Sequence, residues 1–158
     1  PGLGGGAIRD LGYYCVGITR LLTSEQPSSV KAVGTWHVPG DVDTAVAAVM
    51  QFPSGALGYT GFGFKTFFDC SYEVAGSAGR ILVDRGAMVA WPGEAFSIRL
   101  WNEEGEREIA TQMADHYQLM AENFAEAILR HTPPAYGLDE AVKSLAVMDA
   151  IRESFSPG

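Results

Sequence analysis

Basic residues are scarce in this 158-residue chain. Eleven Lys and Arg stand against nineteen Asp and Glu, a formal net charge of −8. Its only lysines are Lys31, Lys65 and Lys143. Without a basic cluster there is no footprint for a phosphate backbone, so nucleic acid is excluded as a partner. Cys15 and Cys70 are the only cysteines, too few for a disulfide framework. No apolar run approaches the roughly 18 residues that span a bilayer, which excludes a transmembrane helix. His37, His116 and His131 are the three histidines; they form no H-x-x-x-H spacing, and C-x-x-C is absent. The expectation is no metal site. No G-x-S-x-G nucleophile elbow occurs either. An initiating Met and a signal peptide are both missing, since the chain opens Pro1-Gly2-Leu3-Gly4-Gly5-Gly6. That start predicts a piece excised from a longer, cytoplasmic protein.

What is present is a globular composition, 47% hydrophobic and 19% charged, at about one domain's length. Residues 7–23 read as a helix, with Ile8, Leu11, Cys15, Ile18 and Leu22 spaced by three or four and Pro27 as the breaker. From Val30 to Ala110 short stretches rich in Val, Phe, Tyr and Thr alternate with Gly and Pro turns. The strands expected there are Val30–His37, Asp43–Phe52, Ala56–Phe64, Ser71–Gly76, Arg80–Asp84, Ala87–Ala90, Phe96–Trp101 and Glu106–Ala110, with Pro53-Ser54-Gly55 as a hairpin turn. In Asp43–Phe52 both alternating sides are largely apolar: Thr44, Val46, Ala48, Met50 and Phe52 on one, Asp43, Ala45, Ala47, Val49 and Gln51 on the other. A sheet covered on both faces needs more chain or a partner subunit. Helical spacing returns over 116–131, with Tyr117, Met120, Phe124, Ile128 and Leu129 as its stripe, and over 138–156, with Leu138, Val142, Leu145, Met148 and Ile151. A helix, a block of strands and two helices make an α+β fold and not βαβ alternation.

Gly2-Leu3-Gly4-Gly5-Gly6-Ala7 matches G-x-G-x-x-[GA], yet no strand precedes it and no acidic residue closes a following βαβ unit. No cofactor-binding residue is assigned there; the glycines read as permitting close backbone approach at a helix start. Asp10 and Tyr14 lie four apart, on one helix face, with Gly12 between them to let another element pack close. A phenol is a weak acid near neutral pH and becomes useful beside a cation. The plainer alternative makes Asp10 a first-turn acid favoured by the helix dipole and Tyr14 a core aromatic. His37 ends a strand and either faces a cleft or is solvated.

The order of segments is where a resemblance enters. Gly4-Gly5-Gly6-Ala7-Ile8-Arg9-Asp10-Leu11-Gly12-Tyr13-Tyr14 resembles the G-G-G-x-x-x-D-x-G-x-[HY] signature that opens the C-terminal domain of the Gfo/Idh/MocA oxidoreductases. Asp43–Phe64 resembles the family's paired strands around F-P-[SD]-G, Tyr72–Ile81 its G-x-x-G hairpin, Tyr117–Ile128 its Y-x-x-x-x-x-x-F-x-x-A-I helix, and Gly137–Gly158 its closing helix with A-I-x-x-S. The resemblance covers nearly the whole chain. It implies an open, predominantly antiparallel mixed sheet with helices on one face, like the C-terminal domain of glyceraldehyde-3-phosphate dehydrogenase, the N-terminal Rossmann domain being absent from this chain. It also implies oxidation and reduction at CH–OH carbons of a sugar, polyol or dihydrodiol, with NAD or NADP bound mainly by that absent domain. A homodimer or higher assembly through the open sheet face is implied as well. By motif, Tyr14 takes the proton donor and acceptor position and Asp10 the supporting acid position beside the substrate. Arg9 and His37 are the further substrate-binding candidates. Tyr, where many members have His, looks more like the glucose-fructose oxidoreductase, xylose dehydrogenase and dihydrodiol dehydrogenase branch. The isolated piece is expected to be inactive. The competing reading is a scaffold or oligomerisation module of the same fold that has lost the chemistry.

Overall fold

The computed structural model describes residues 5–38, 41–84 and 96–155. The chain divides into two compact units, one of residues 1–67 with 136–158 and one of residues 68–135. Among the described residues, the strands expected as one block form two hydrogen-bonded sheets, and every strand pair is antiparallel. The expected strand Ala87–Ala90 lies outside the described residues.

The first unit opens with a π-helical turn, Ile8–Gly12, that runs into α1, Tyr13–Thr23. A meander comes next: β1, Ser29–Trp36; β2, Asp43–Gln51; β3, Leu57–Gly63. The β2–β3 hairpin turns at Pro53-Ser54-Gly55 as its residue types dictate. Gly55 takes a left-handed φ of 89°, and its N–H reaches the Phe52 carbonyl at 2.9 Å. After the second unit the chain returns as the helix Leu138–Phe155. The core is Ile8 and Val16 from the first helical stretch, Val46, Ala48, Met50 and Phe52 from β2 and the turn after it, and Val147, Met148 and Ile151 from the last helix. Helices thus cover one face of this sheet. The other face, with Val33, Val49, Leu57 and Tyr59, is exposed, so among the described residues of this unit only one of the two apolar sides of β2 is covered.

The helical stripes differ from the expected ones. The π turn adds a residue to its turn and rotates the residues after it, so the buried line runs Ile8, Gly12, Val16, Arg20. Leu22 is exposed, and Leu11, Cys15 and Ile18 are only partly covered. In the last helix the buried side is Ser144, Val147, Met148 and Ile151; Leu138, Val142 and Leu145 face outward. Tyrosine and serine tie this side down, with the Ala32 N–H donating to Ser154 Oγ at 2.9 Å and Tyr136 Oη 2.9 Å from Ser144 Oγ.

The second unit is a meander of β4, Tyr72–Gly76; β5, Gly79–Val83; β6, Ser97–Asn102; and β7, Gly105–Ala110, followed by α2, His116–Arg130. The last helix of the chain is accordingly α3. The register puts Tyr72, Val74, Ile81, Val83, Ile98, Leu100 and Ile109 on one face of the sheet. The opposite face is charged. The guanidinium groups of Arg80 and Arg99 lie over the Trp101 ring, 4.8 and 5.6 Å from its centre. These arginines also pair with Glu73 and Asp84. Asp115 caps α2 by accepting from the Tyr117 and Gln118 N–H groups at 2.9 and 3.1 Å. The expected stripe of α2, Tyr117, Met120, Phe124, Ile128 and Leu129, is exposed; the helix buries only Ala127.

Candidate functional site

The residues singled out by sequence gather around the start of the first helical stretch. Gly6 is buried with no room for a side chain: a Cβ there would fall inside the carboxylate and carbonyl of Asp43. That carboxylate accepts from the Ile8 N–H at 2.6 Å, and Asp43 is only 2% exposed. A carboxylate at a helix start meets both free N–H groups and the positive end of the dipole. Asp43 reaches this position because of an irregularity in the sheet. The β1–β2 register shifts between Thr35 and Trp36, so that Trp36 stands opposite Asp43. A bulge of this kind re-aims a side chain. Strict alternation had placed Asp43 on the outer side with Ala45 and Ala47; the shift turns it inward.

Arg9 and Asp10 lie within the π turn, and Tyr14 in the first turn of α1. All three are exposed, Tyr14 to 46%. Tyr14 is therefore not a core aromatic; its ring meets that of Tyr13 edge-on, 6.2 Å between centres. Gly12 does admit a close neighbour, the ring of Phe62 on β3, which a Cβ would strike. The Arg9 side chain folds over Gly5 and borders a cavity of about 160 Å³ with Ile8, Leu145, Met148, Asp149 and Arg152. A more open hollow of about 500 Å³ beside the start of β1 involves none of the four predicted residues.

His37 falls one residue past β1 and is exposed, its N–H bonded to the Val42 carbonyl at 3.0 Å. Trp36 pairs with Asp43, and Asp43 holds Ile8, so His37 sits at the same end of the first unit as Arg9 and Asp10. Among the described residues, no hydrogen bond or ion pair joins Arg9, Asp10, Tyr14 and His37 to one another. Nor do the described residues form a group of three or more His, Cys, Asp or Glu able to hold a metal ion.

Sequence reasoning missed the groups that tie the far end of α1 to the last helix. Arg20 is 7% exposed. It donates to Ser144 Oγ at 2.8 Å, to the Glu140 carbonyl at 3.1 Å, to Glu140 Oε2 at 2.6 Å and to Gln26 Oε1 at 3.1 Å, bolting α1 to α3. Burial, and next the hydrogen bond with Tyr136, raise the Tyr13 phenol above its ordinary pKa. The available signal was an arginine four residues beyond Val16 and eight beyond Gly12, hidden because the π turn shifts the phase.

A family model for the GFO/IDH/MocA C-terminal domain matches residues 1–82. The chain is 28% identical over its full length to a D-xylose 1-dehydrogenase (NADP(+)) from Haloferax volcanii, of which it covers 48%. It is equally 28% identical over its full length to a 1,5-anhydro-D-fructose reductase from Ensifer adhaerens, covering 47%. In structure it resembles a 3-ketoreductase from Actinomadura kijaniata, solved in complex with TDP-benzene and NADP. That match has a TM-score of 0.86 at 22% identity, over 97% of this chain and 48% of the other. The chain spans about half the length of the curated relatives it matches. It belongs to the GFO/IDH/MocA family and matches the C-terminal domain of that family.

Proposed function

We propose that this chain is the substrate-binding and dimerising domain of a cytoplasmic NAD(P)-dependent oxidoreductase that acts on a CH–OH group of a sugar, polyol or dihydrodiol. The observation that carries this reading is the exposed Asp10 and Tyr14 on a helix start that Asp43 and Phe62 hold rigidly. Tyr14 relays the hydroxyl proton away from the substrate oxygen as the C–H bond breaks, its own O–H leaving as the new one forms, and relays it back in the reverse direction. Asp10 orients the substrate oxygen, and Arg9 and His37 contact its remaining hydroxyls. A nicotinamide, when bound, supplies the hydride acceptor. Its pyrophosphate is held by a preceding domain, because the helix start after Gly6 is already occupied by the Asp43 carboxylate, which repels a second anion. The exposed sheet face with Val33, Val49, Leu57 and Tyr59 is the surface for a second copy.

In the full-length protein, Tyr14→Phe is expected to lower kcat about 10²-fold or more, the usual worth of a general acid–base group. Wild-type turnover in that variant would remove Tyr14 from the chemistry. The isolated 158-residue chain is expected to show no dehydrogenase activity and no saturable NADPH binding by calorimetry. A tight titration would contradict the assignment of the dinucleotide to another domain.

A further inference from the structure

Two departures from regular geometry meet at one hydrogen bond. The π-helical turn Ile8–Gly12 is the only π segment among the described residues. The β1–β2 pairing shifts register where Trp36 stands opposite Asp43. Their junction is the Asp43 carboxylate on the Ile8 N–H at 2.6 Å, buried, with Gly6 pressed against both the carboxylate and the backbone carbonyl of the same residue. Bulges and π turns each cost regular hydrogen bonding and are found where a side chain must be re-aimed. Here the bulge turns Asp43 inward, Asp43 fixes the first N–H of the π turn, and the π turn carries Asp10 and leads directly into the turn with Tyr14. A regular strand would have left Asp43 on the exposed side with Ala47. A regular α-helix would have set Asp10 and Tyr14 at a different angle to the sheet.

We infer that Asp43 is a positioning residue for the Asp10–Tyr14 pair. It sets the angle of the π turn through the Ile8 N–H and touches no substrate itself. The inference rests on the catalytic role proposed for Tyr14. A side-chain oxygen is what the Ile8 N–H needs, and the helix dipole adds a smaller attraction for the charge. Asparagine therefore serves nearly as well, and alanine does not.

The test uses the full-length oxidoreductase and three variants, Asp43→Ala, Asp43→Asn and Gly6→Ala, the last displacing the carboxylate from the other side. Turnover is read with D-xylose, D-glucose and trans-1,2-dihydrobenzene-1,2-diol on NAD⁺ and NADP⁺. Amide hydrogen exchange is read on the peptide covering residues 5–14, with that covering 116–130 as the internal control. Asp43→Ala and Gly6→Ala are expected to lower kcat at least tenfold with little change in KM. They should also speed exchange in 5–14 at least tenfold while 116–130 is unchanged. Asp43→Asn should restore both to within about threefold of wild type. Unchanged exchange in 5–14 overturns the inference, and so does faster exchange with wild-type kcat, which leaves Asp43 a merely structural tie. If Asp43→Ala does not fold, Gly6→Ala and Asp43→Asn decide by the same readings. If Tyr14→Phe keeps full turnover while Asp43→Ala loses it, the catalytic role of Tyr14 has failed and not the role of Asp43 in shaping the turn.

Discussion

The first unit locks nine buried apolar side chains into one cluster between α1, α3 and a face of β1–β3. The second unit, with more strands and a fifteen-residue helix, buries only Val83 and Ala127 among its described apolar residues. The difference does not come from hydrophobicity. Unit two has apolar residues in the right alternation on β4–β7 and at helical spacing on α2. It comes from chain order. The first unit closes one face of its sheet with two helices distant in sequence, so that face of β2 is covered by Ile8 and Val16 together with Met148 and Ile151. The second unit is local in sequence, and a meander plus one helix encloses less. Burial per residue follows how many distant segments converge, and stability follows burial.

The strongest way to test that contrast is to cut the core. Phe52→Ala removes a fully buried ring and is expected to cost roughly 3–5 kcal/mol in urea unfolding of the full-length protein. Arg20→Ala comes next. It strips partners from Ser144 and the Glu140 carbonyl in a buried site and is expected to cost about 3 kcal/mol by the same measurement. The matching cut in the second unit, Arg99→Ala, breaks an exposed pair with Asp84 and is expected to cost under about 1 kcal/mol. Equal costs for the two arginines would erase the distinction.

The pH dependence separates the units in kind. Glu140 is lowered from its ordinary pKa, first by the Lys143 hydrogen bond and then by that of Arg20. Glu73 in the second unit is lowered by Arg80. A depressed carboxyl contributes stability above its unfolded pKa and loses it as pH falls through the folded one, so both units weaken in acid. Glu140→Gln and Glu73→Gln should each flatten the dependence of the urea midpoint between about pH 3 and 5. Tyr13 has the opposite sign. Its raised pKa gives stability present below the ordinary value of 10.0 and lost as pH rises through the folded value. An alkaline limb that Tyr13→Phe abolishes is therefore expected, and its persistence in that variant would assign it elsewhere. The smallest effect belongs to α2. Phe124 is 60% exposed, so Phe124→Ala is expected to shift stability by no more than about 0.5 kcal/mol. A larger loss in the full-length protein would show that a neighbouring domain or subunit covers that helix.

Much of this architecture was legible beforehand. The β2–β3 hairpin needed only Pro53-Ser54-Gly55 between two β-rich runs, and α2 ended where Thr132-Pro133-Pro134 required. The order of helix, strands and helices was readable because periodicity is a local property of the backbone. The three faces of α1, α2 and α3 were less so. Spacing by three and four names several possible stripes, and the partner decides among them. Arg20 and Ser144 lie on buried faces that a hydrophobic count passes over, because they satisfy each other 124 residues apart.

The candidate site divides along the same line. By itself the sequence determined the elements, their order and the G-G-G-x-x-x-D-x-G-x-Y run that places Asp10 and Tyr14 in one helical segment. Tertiary structure alone decided that Asp43 turns inward, that the helix start is held by it and that Tyr14 is left exposed. A one-residue slip in strand register reverses a side chain's face, and no local pattern records which partner residue stands opposite.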